Sequence, residues 1–212
     1  MSLATPNPEQ LDALKELVNI GIGRAAHSLN EMTHAHVSLR IPQVEVVDSM
    51  GLHLRLEALT ALIGGNALSL VQLHFKGIFS GTVALIFPNN SAANLVTTLV
   101  SEQTIAMDLN AIRVSTLTEI GNILINGLMG SIGNILAEPL QFSIPQYHES
   151  NIAHILETSS QHKNATILLI NTQFLIATKQ IEGSIVLLFE VGSFDKLLAT
   201  IMDSTHANAI HQ

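Results

Sequence analysis

The chain has no cysteine, which excludes disulfides, thiolate metal sites and a cysteine nucleophile. That absence is compatible with a reducing compartment. The first ten residues, MSLATPNPEQ, lack the basic and apolar stretches of a secretory signal, so a cytoplasmic location is expected. Tryptophan is missing too, and with one Tyr and seven Phe there are few residues for a base-stacking platform. Charge is scarce: Asp, Glu, Lys and Arg make up 12% of the chain, against a usual share of about 25%. Nine basic residues against 17 acidic ones give a net charge of -8, with no basic stripe to neutralise phosphates, and nucleic acid is not an expected partner.

What is present is apolar. The 212 residues (22.8 kDa) are 47% hydrophobic with a mean hydropathy of +0.39, enough to bury a sizeable core and far from the composition of a disordered chain. Ile120 to Ala137 runs 18 residues without a charge and has the length of a membrane span. Four glycines (Gly121, Gly127, Gly130, Gly133) and three asparagines (Asn122, Asn126, Asn134) argue against insertion, because each amide would need a partner in lipid. A buried helix packed closely on another fits better, each glycine costing about 1 kcal/mol of helix propensity relative to Ala.

Asn7-Pro8 reads as an N-cap and first-turn proline, with Glu9 suited to the positive end of the helix dipole. Leu11, Leu14, Val18, Ile22, Ala25 and Leu29 then recur at three- and four-residue steps and mark the buried face of a helix running to about Glu31. Strands are expected at Val37 to Val47, around Pro42, at Leu68 to Phe75 and at Gly81 to Phe87. Pro88-Asn89-Asn90-Ser91 reads as a turn and cap into a helix over Ala92 to Val100. A second long helix starts at Asp108 or Asn110, follows Ile112, Leu117, Ile120, Leu124, Leu128, Ile132, Ile135 and Leu136, and ends at Glu138-Pro139. Strands follow at about Ala165 to Asn171, Phe174 to Gln180 and Gly183 to Phe189, and Gly192-Ser193 caps a last helix near Phe194 to Asp203.

The element order repeats, and so do particular residues. Glu16 and Glu119, Asn19 and Asn122, and Pro42 and Pro145 are each 103 positions apart, while Gly81 to Phe87 parallels Gly183 to Phe189 at an offset of 102, as does Ser91 with Ser193. One deletion reconciles the offsets. A period near half the chain means duplication rather than a solenoid, which needs three or more units. No Gly-, Ser- or Pro-rich linker separates the halves. The expectation is a single α+β domain over residues 1–212, built from two intertwined pseudo-symmetric αβ repeats (about 8–105 and 108–205) that share a largely antiparallel sheet, with two long surface-lying helices bearing the repeated motif.

That motif is Asp12-x-x-x-Glu16-x-x-Asn19 in one half and Ser115-x-x-x-Glu119-x-x-Asn122 in the other. Steps of four and three stack the side chains on one helical face. A carboxylate and a carboxamide one turn apart present an anion to a cationic partner beside a group that both donates and accepts hydrogen bonds, and such a pair can position a water molecule. A lone Glu-x-x-Asn is usually just a solvated helix face. Recurrence in register, in a chain so poor in charge, makes that bland account weaker.

Asp12, Glu16 and Asn19 with Pro42, and Ser115, Glu119 and Asn122 with Pro145, each with 22 residues between Asn and Pro, resemble the doubled signature of the CheC, CheX and FliY family of chemotaxis phosphatases. The strings Asn19 to Ala26 (NIGIGRAA) and Glu119 to Leu124 (EIGNIL) add to the resemblance. It spans essentially the whole chain. Two complete motifs resemble CheC rather than CheX, and nothing resembling the flagellar-switch domain of FliY follows Asp203. The resemblance implies hydrolysis of the aspartyl phosphate on a CheY-like receiver domain, with Glu16, Asn19, Glu119 and Asn122 as the catalytic residues, Asp12 and Ser115 as auxiliaries that differ between the halves, and Pro42 and Pro145 as structural members of the motif.

The chemistry suits these residue types. Acyl-phosphate hydrolysis passes through a loose transition state, so aligning the water matters more than removing its proton early. Asn19 or Asn122 would accept a hydrogen bond from that water, while Glu16 or Glu119 pairs with a Lys on the receiver. No cofactor bound by this chain is expected; Mg²⁺ would come with the receiver domain. A non-catalytic module that docks a receiver domain or a CheD-like deamidase is the alternative. The two motifs are expected on distinct patches, because two carboxylates brought together with no Lys or Arg nearby would repel.

Other signals carry less. Gly21-x-Gly23-x-x-Ala26 matches a relaxed dinucleotide fingerprint but sits inside a helical pattern instead of after a strand. Among the ten histidines, His34-x-His36 would share a strand face, yet no third ligand has metal spacing nearby, and no metal site is expected. Ser28, Ser80 and the other serines lack a nucleophile-elbow context.

Overall fold

The computed structural model describes residues 6–33, 36–61, 67–100, 109–137, 139–151, 166–176 and 179–210. The first helix, α1 (Pro8–Thr33), opens on a reciprocal cap: Gln10 N–H donates to Asn7 Oδ1 and Asn7 N–H to Gln10 Oε1, both at 2.9 Å. Leu14, Leu17, Val18, Ile22, Ala25 and Leu29 form its buried face. Burying such a Leu, Ile or Val side chain is worth about 1.5–3 kcal/mol. The second long helix, α4 (Leu109–Ile135), buries Leu117, Ile120, Leu124, Ile125, Leu128, Met129 and Ile132 in the same way. It ends through Ala137, whose positive φ of 53° is the left-handed residue that closes many helices. Asp108 and Glu138, named above as its bounds, lie outside the described residues.

The remaining elements are β1 (Val37–Val47), α2 (Ser49–Ala61), β2 (Ala67–Lys76), β3 (Gly81–Pro88), α3 (Asn89–Leu99), β4 (Gln141–Phe142), β5 (Gln146–Asn151), β6 (Thr166–Ile176), β7 (Lys179–Phe189) and α5 (Ser193–Ile210). The strands form one antiparallel sheet in the order β1-β6-β7-β3-β2-β4, with β5 also on β2. The topology shows the intertwining directly: β1 of the first repeat pairs with β6 of the second, and β5 of the second pairs with β2 of the first. At the centre, Ala84 on β3 faces Val186 on β7, and these are the two positions matched by the 102-residue offset. The pseudo-two-fold axis therefore passes between them.

Side chains alternate across the sheet. Val83, Leu85, Phe87, Ile185, Leu187 and Phe189 join the core under α1, α3, α4 and α5, whereas Ala84, Ile86, Leu169 and Val186 face Leu52 and Leu56 of α2. The α+β class with a shared antiparallel sheet and two long motif-bearing helices is what the sequence predicts.

Four details differ from expectation. The break expected at Thr172-Gln173 is absent, and β6 runs through it: Thr172 sits buried opposite Gly183, and the neighbouring Asn171 Oδ1 accepts from Ser184 Oγ at 3.3 Å. A polar side chain that bonds across the sheet, as Asn171 does, does not end a strand. Helix α2 is not among the expected elements because its Leu-x-Leu-x-Leu spacing mimics strand alternation; of these three, Leu52 and Leu56 are buried and Leu54 is exposed, and Asp48 Oδ1 caps the helix by accepting from Gly51 N–H at 2.7 Å. The polar edge strand β5 was likewise missed. At α3 the cap is not a side chain, since Pro88 occupies the N-cap position without one and Asn89 Oδ1 instead accepts from Ser69 Oγ at 2.8 Å.

Candidate functional site

Asp12, Glu16, Asn19 and Gly23 follow steps of four, three and four along α1, and all four are exposed on the face opposite its core residues. Asp12 meets Lys15 at 3.5 Å. This corrects the expectation that no Lys or Arg lies in either motif, although an exposed pair of this kind contributes under about 1 kcal/mol. Glu16 and Asn19 are left projecting from the helix one turn apart.

On α4 the matching residues are Ser115, Glu119 and Asn122, with Ser115 and Glu119 exposed and Asn122 half-buried. The Ser115 hydroxyl turns back to donate to the Ile112 carbonyl at 3.1 Å. Glu119 lines a groove of about 460 Å³ with Ser115, Thr116, Leu99, Val100 and Met32. Met32 belongs to α1, so the second site has a wall from the other repeat. Asn122 Oδ1 accepts a hydrogen bond from Asn126 Nδ2 at 2.6 Å. Neither Asn126 nor the apolar wall was identified from the sequence. Asn126 stands one turn beyond Asn122, but comparing the repeats hides it, since its counterpart is Gly23.

The helices α1 and α4 run antiparallel and cross where small residues let the backbones approach. A Cβ on Gly21 would lie 2.8 Å from the Leu128 Cα, and one on Gly127 2.7 Å from the Ala25 Cβ; Arg24 Nη1 reaches Ser131 Oγ at 3.4 Å across the same crossing. Glu16 and Glu119 each precede this crossing by eight or nine residues in opposed directions. At 1.5 Å of rise per residue their backbones are on the order of 25 Å apart. Each Glu/Asn pair is thus assembled within one helix, and the two pairs are not brought together.

The prolines are not on these faces. Pro42 lies in β1, where pairing with β6 shifts between Arg40 and Gln43. A residue without an N–H accounts for such a break in the ladder. Pro145 is half-buried between β4 and β5. His36 is exposed and His34 lies outside the described residues; among the described residues no three His, Asp or Glu side chains are grouped to hold a metal ion. No helix among them is long and apolar enough to cross a membrane.

A model of the CheC-like family matches residues 9–46, the segment containing Asp12, Glu16, Asn19 and Pro42. A curated relative from Halobacterium salinarum, named "Putative CheY-P phosphatase CheC1", is 23% identical over 138 residues, 65% of this chain and 67% of that protein. Over residues 9–46 the chain resembles the CheC-like family. The chain also shares its fold with Thermotoga maritima FliY, at a TM-score of 0.70 and 14% identity over 94% of this chain and 99% of that one. The FliM middle domain from H. pylori has a TM-score of 0.63 at 13% identity, over 92% of this chain and 99% of that one. CheX from Desulfovibrio desulfuricans gives 0.52 at 14%, over 82% and 99% respectively. The resemblance to the CheC, CheX and FliY proteins read from the motifs is borne out.

Proposed function

We propose that this chain is a chemotaxis phosphatase that hydrolyses the aspartyl phosphate of a CheY-like receiver domain. The observation that carries the reading is that one Glu/Asn pair, its carboxylate exposed each time, occurs twice, on two helices related by a pseudo-two-fold axis. The CheC-like segment and the name of the Halobacterium relative support it.

In this reading Glu16 or Glu119 pairs with a Lys on the receiver and fixes its orientation. Asn19 or Asn122 then accepts a hydrogen bond from a water through Oδ1 and holds it in line with the phosphoryl group. As the water oxygen bonds to phosphorus, the bond from phosphorus to the receiver's carboxylate breaks; the carboxylate leaves as the anion and inorganic phosphate carries off the water's remaining hydrogens. Because the transition state is loose, this positioning does not need a strong base. The Mg²⁺ is the receiver's own and neutralises phosphoryl charge there. Nine basic residues in an acidic chain suit it poorly to gripping a phosphorylated small molecule unaided.

The test is the rate of phosphate loss from a phosphorylated receiver domain with and without the protein, in Mg²⁺. Acceleration that disappears in Asn19→Ala/Asn122→Ala supports the reading, and no acceleration over the host's receiver domains defeats it. A second reading, a non-catalytic module docking a receiver domain or a CheD-like deamidase, draws on the likeness to H. pylori FliM, whose fold appears in a FliG–FliM complex. Under that reading the receiver binds but its phosphate lifetime is unchanged.

A further inference from the structure

We propose that Asn126 is a positioning residue that makes the second site the faster of the two. The inference rests on the phosphatase reading. Asn126 Nδ2 donates to Asn122 Oδ1 at 2.6 Å, side chain to side chain one turn apart on α4. At the corresponding place on α1 there is Gly23, exposed, with no atom within 4 Å of where its Cβ would be. The two sites thus share their Glu and Asn and differ in what holds the Asn.

An asparagine side chain turns about two bonds, and its amide plane has no preferred face on an exposed helix surface. To align a water, its carbonyl oxygen must point at one place. The bond from Asn126 fixes the amide plane of Asn122 and uses one of the two lone pairs on Oδ1, leaving the other for the water. Donation to a carbonyl also polarises it and strengthens the hydrogen bond it accepts. Asn19 has no such neighbour and must be ordered each time a receiver docks. The resulting difference falls on turnover, because docking is assigned to Glu119 and Glu16, which are unaltered by position 126.

Single-site proteins test this. In an Asn19→Ala parent only the second site works; Asn126→Leu there keeps the size and helix preference of the side chain but removes the donor, and Asn126→Gln restores an amide within reach. The expected result is a kcat about tenfold lower for the Leu variant with KM within about twofold, and recovery of most of the loss by Gln, a misplacement effect well inside the range seen when reacting groups lose alignment. In an Asn122→Ala parent, Gly23→Asn supplies the missing donor to Asn19 in open space and raises kcat of the first site several-fold. Unchanged kcat in Asn126→Leu, an effect on KM alone, or Leu and Gln variants that behave alike would overturn the proposal. An unaltered chain that does not accelerate phosphate loss overturns the phosphatase reading together with it, whereas an active unaltered chain with an inactive Asn19→Ala parent, or an active parent indifferent to Asn126, overturns only the positioning role.

Discussion

An amide and a carboxylate one helical turn apart divide the proposed work by what each can bond. The carboxylates of Glu16 and Glu119 only accept, and their natural partner is a cation; the amides of Asn19 and Asn122 both accept and donate, which suits a water that must be held from one side while its hydrogens remain free. Removing both amides is therefore expected to abolish most of the acceleration while leaving receiver affinity within a few-fold, measured as phosphate release and as binding of a stably phosphorylated receiver mimic. Removing a carboxylate acts on binding first. Glu119→Ala in an Asn19→Ala background is expected to weaken binding by about 2–5 kcal/mol if the Lys pair is buried on docking, and the same assay reads it as a raised KM. The first site carries Glu9, Asp12 and Glu16 on one face against a single Lys15, whereas Glu119 is the one carboxylate of the second motif. Added salt should accordingly slow association at the first site more steeply than at the second, measured by stopped-flow on the two single-site proteins.

At the scale of elements, the close crossing of α1 and α4 sets where the motif faces point, and glycine sets the closeness. A Cβ at Gly21 meets the Leu128 backbone, which cannot yield without moving a helix, while Gly130 on the same α4 has open space around it. Gly21→Ala is expected to cost about 1–3 kcal/mol by overpacking, after whatever helix propensity returns. Gly130→Ala is expected to stabilise by about 0.5–1 kcal/mol. Urea midpoints of the two variants should move in opposite directions. This crossing also explains what was legible beforehand. The periodic faces of α1 and α4, the cap at Asn7, the strands flanking the Ala84/Val186 axis and the repeated Glu/Asn pairs are written in local spacing, which depends on near neighbours alone. Helix α2, the continuity of β6 through Thr172 and Gln173, and the edge strand β5 depend on partners far along the chain, and local pattern does not contain them. Asn126 fell between these cases: its spacing was visible, but its partner's orientation was not.

For the whole molecule, duplication has placed two similar sites at opposite ends of an antiparallel helix pair, so the question is whether they act as a unit. The repeat axis runs through the α1/α4 crossing and between Ala84 and Val186, and each Glu/Asn pair lies off that axis on its own helix. With backbones on the order of 25 Å apart, Glu16 and Glu119 cannot reach a common phosphoryl group. On the proposed reading each site would engage its own receiver domain, and parallel rates from independent sites add. Asn19→Ala and Asn122→Ala are each expected to leave part of the activity, with the two residual rates summing to that of the unaltered chain and the double variant near the uncatalysed rate. If the proposed role of Asn126 holds, the residual is larger in Asn19→Ala, which keeps the second site. Groups acting as one site behave otherwise, since losing any member costs as much as losing all of them. Single variants as inactive as the double would therefore show that the two helices serve one site, by a rearrangement bringing them together on a single receiver, and would set aside the parallel arrangement that their separation supports.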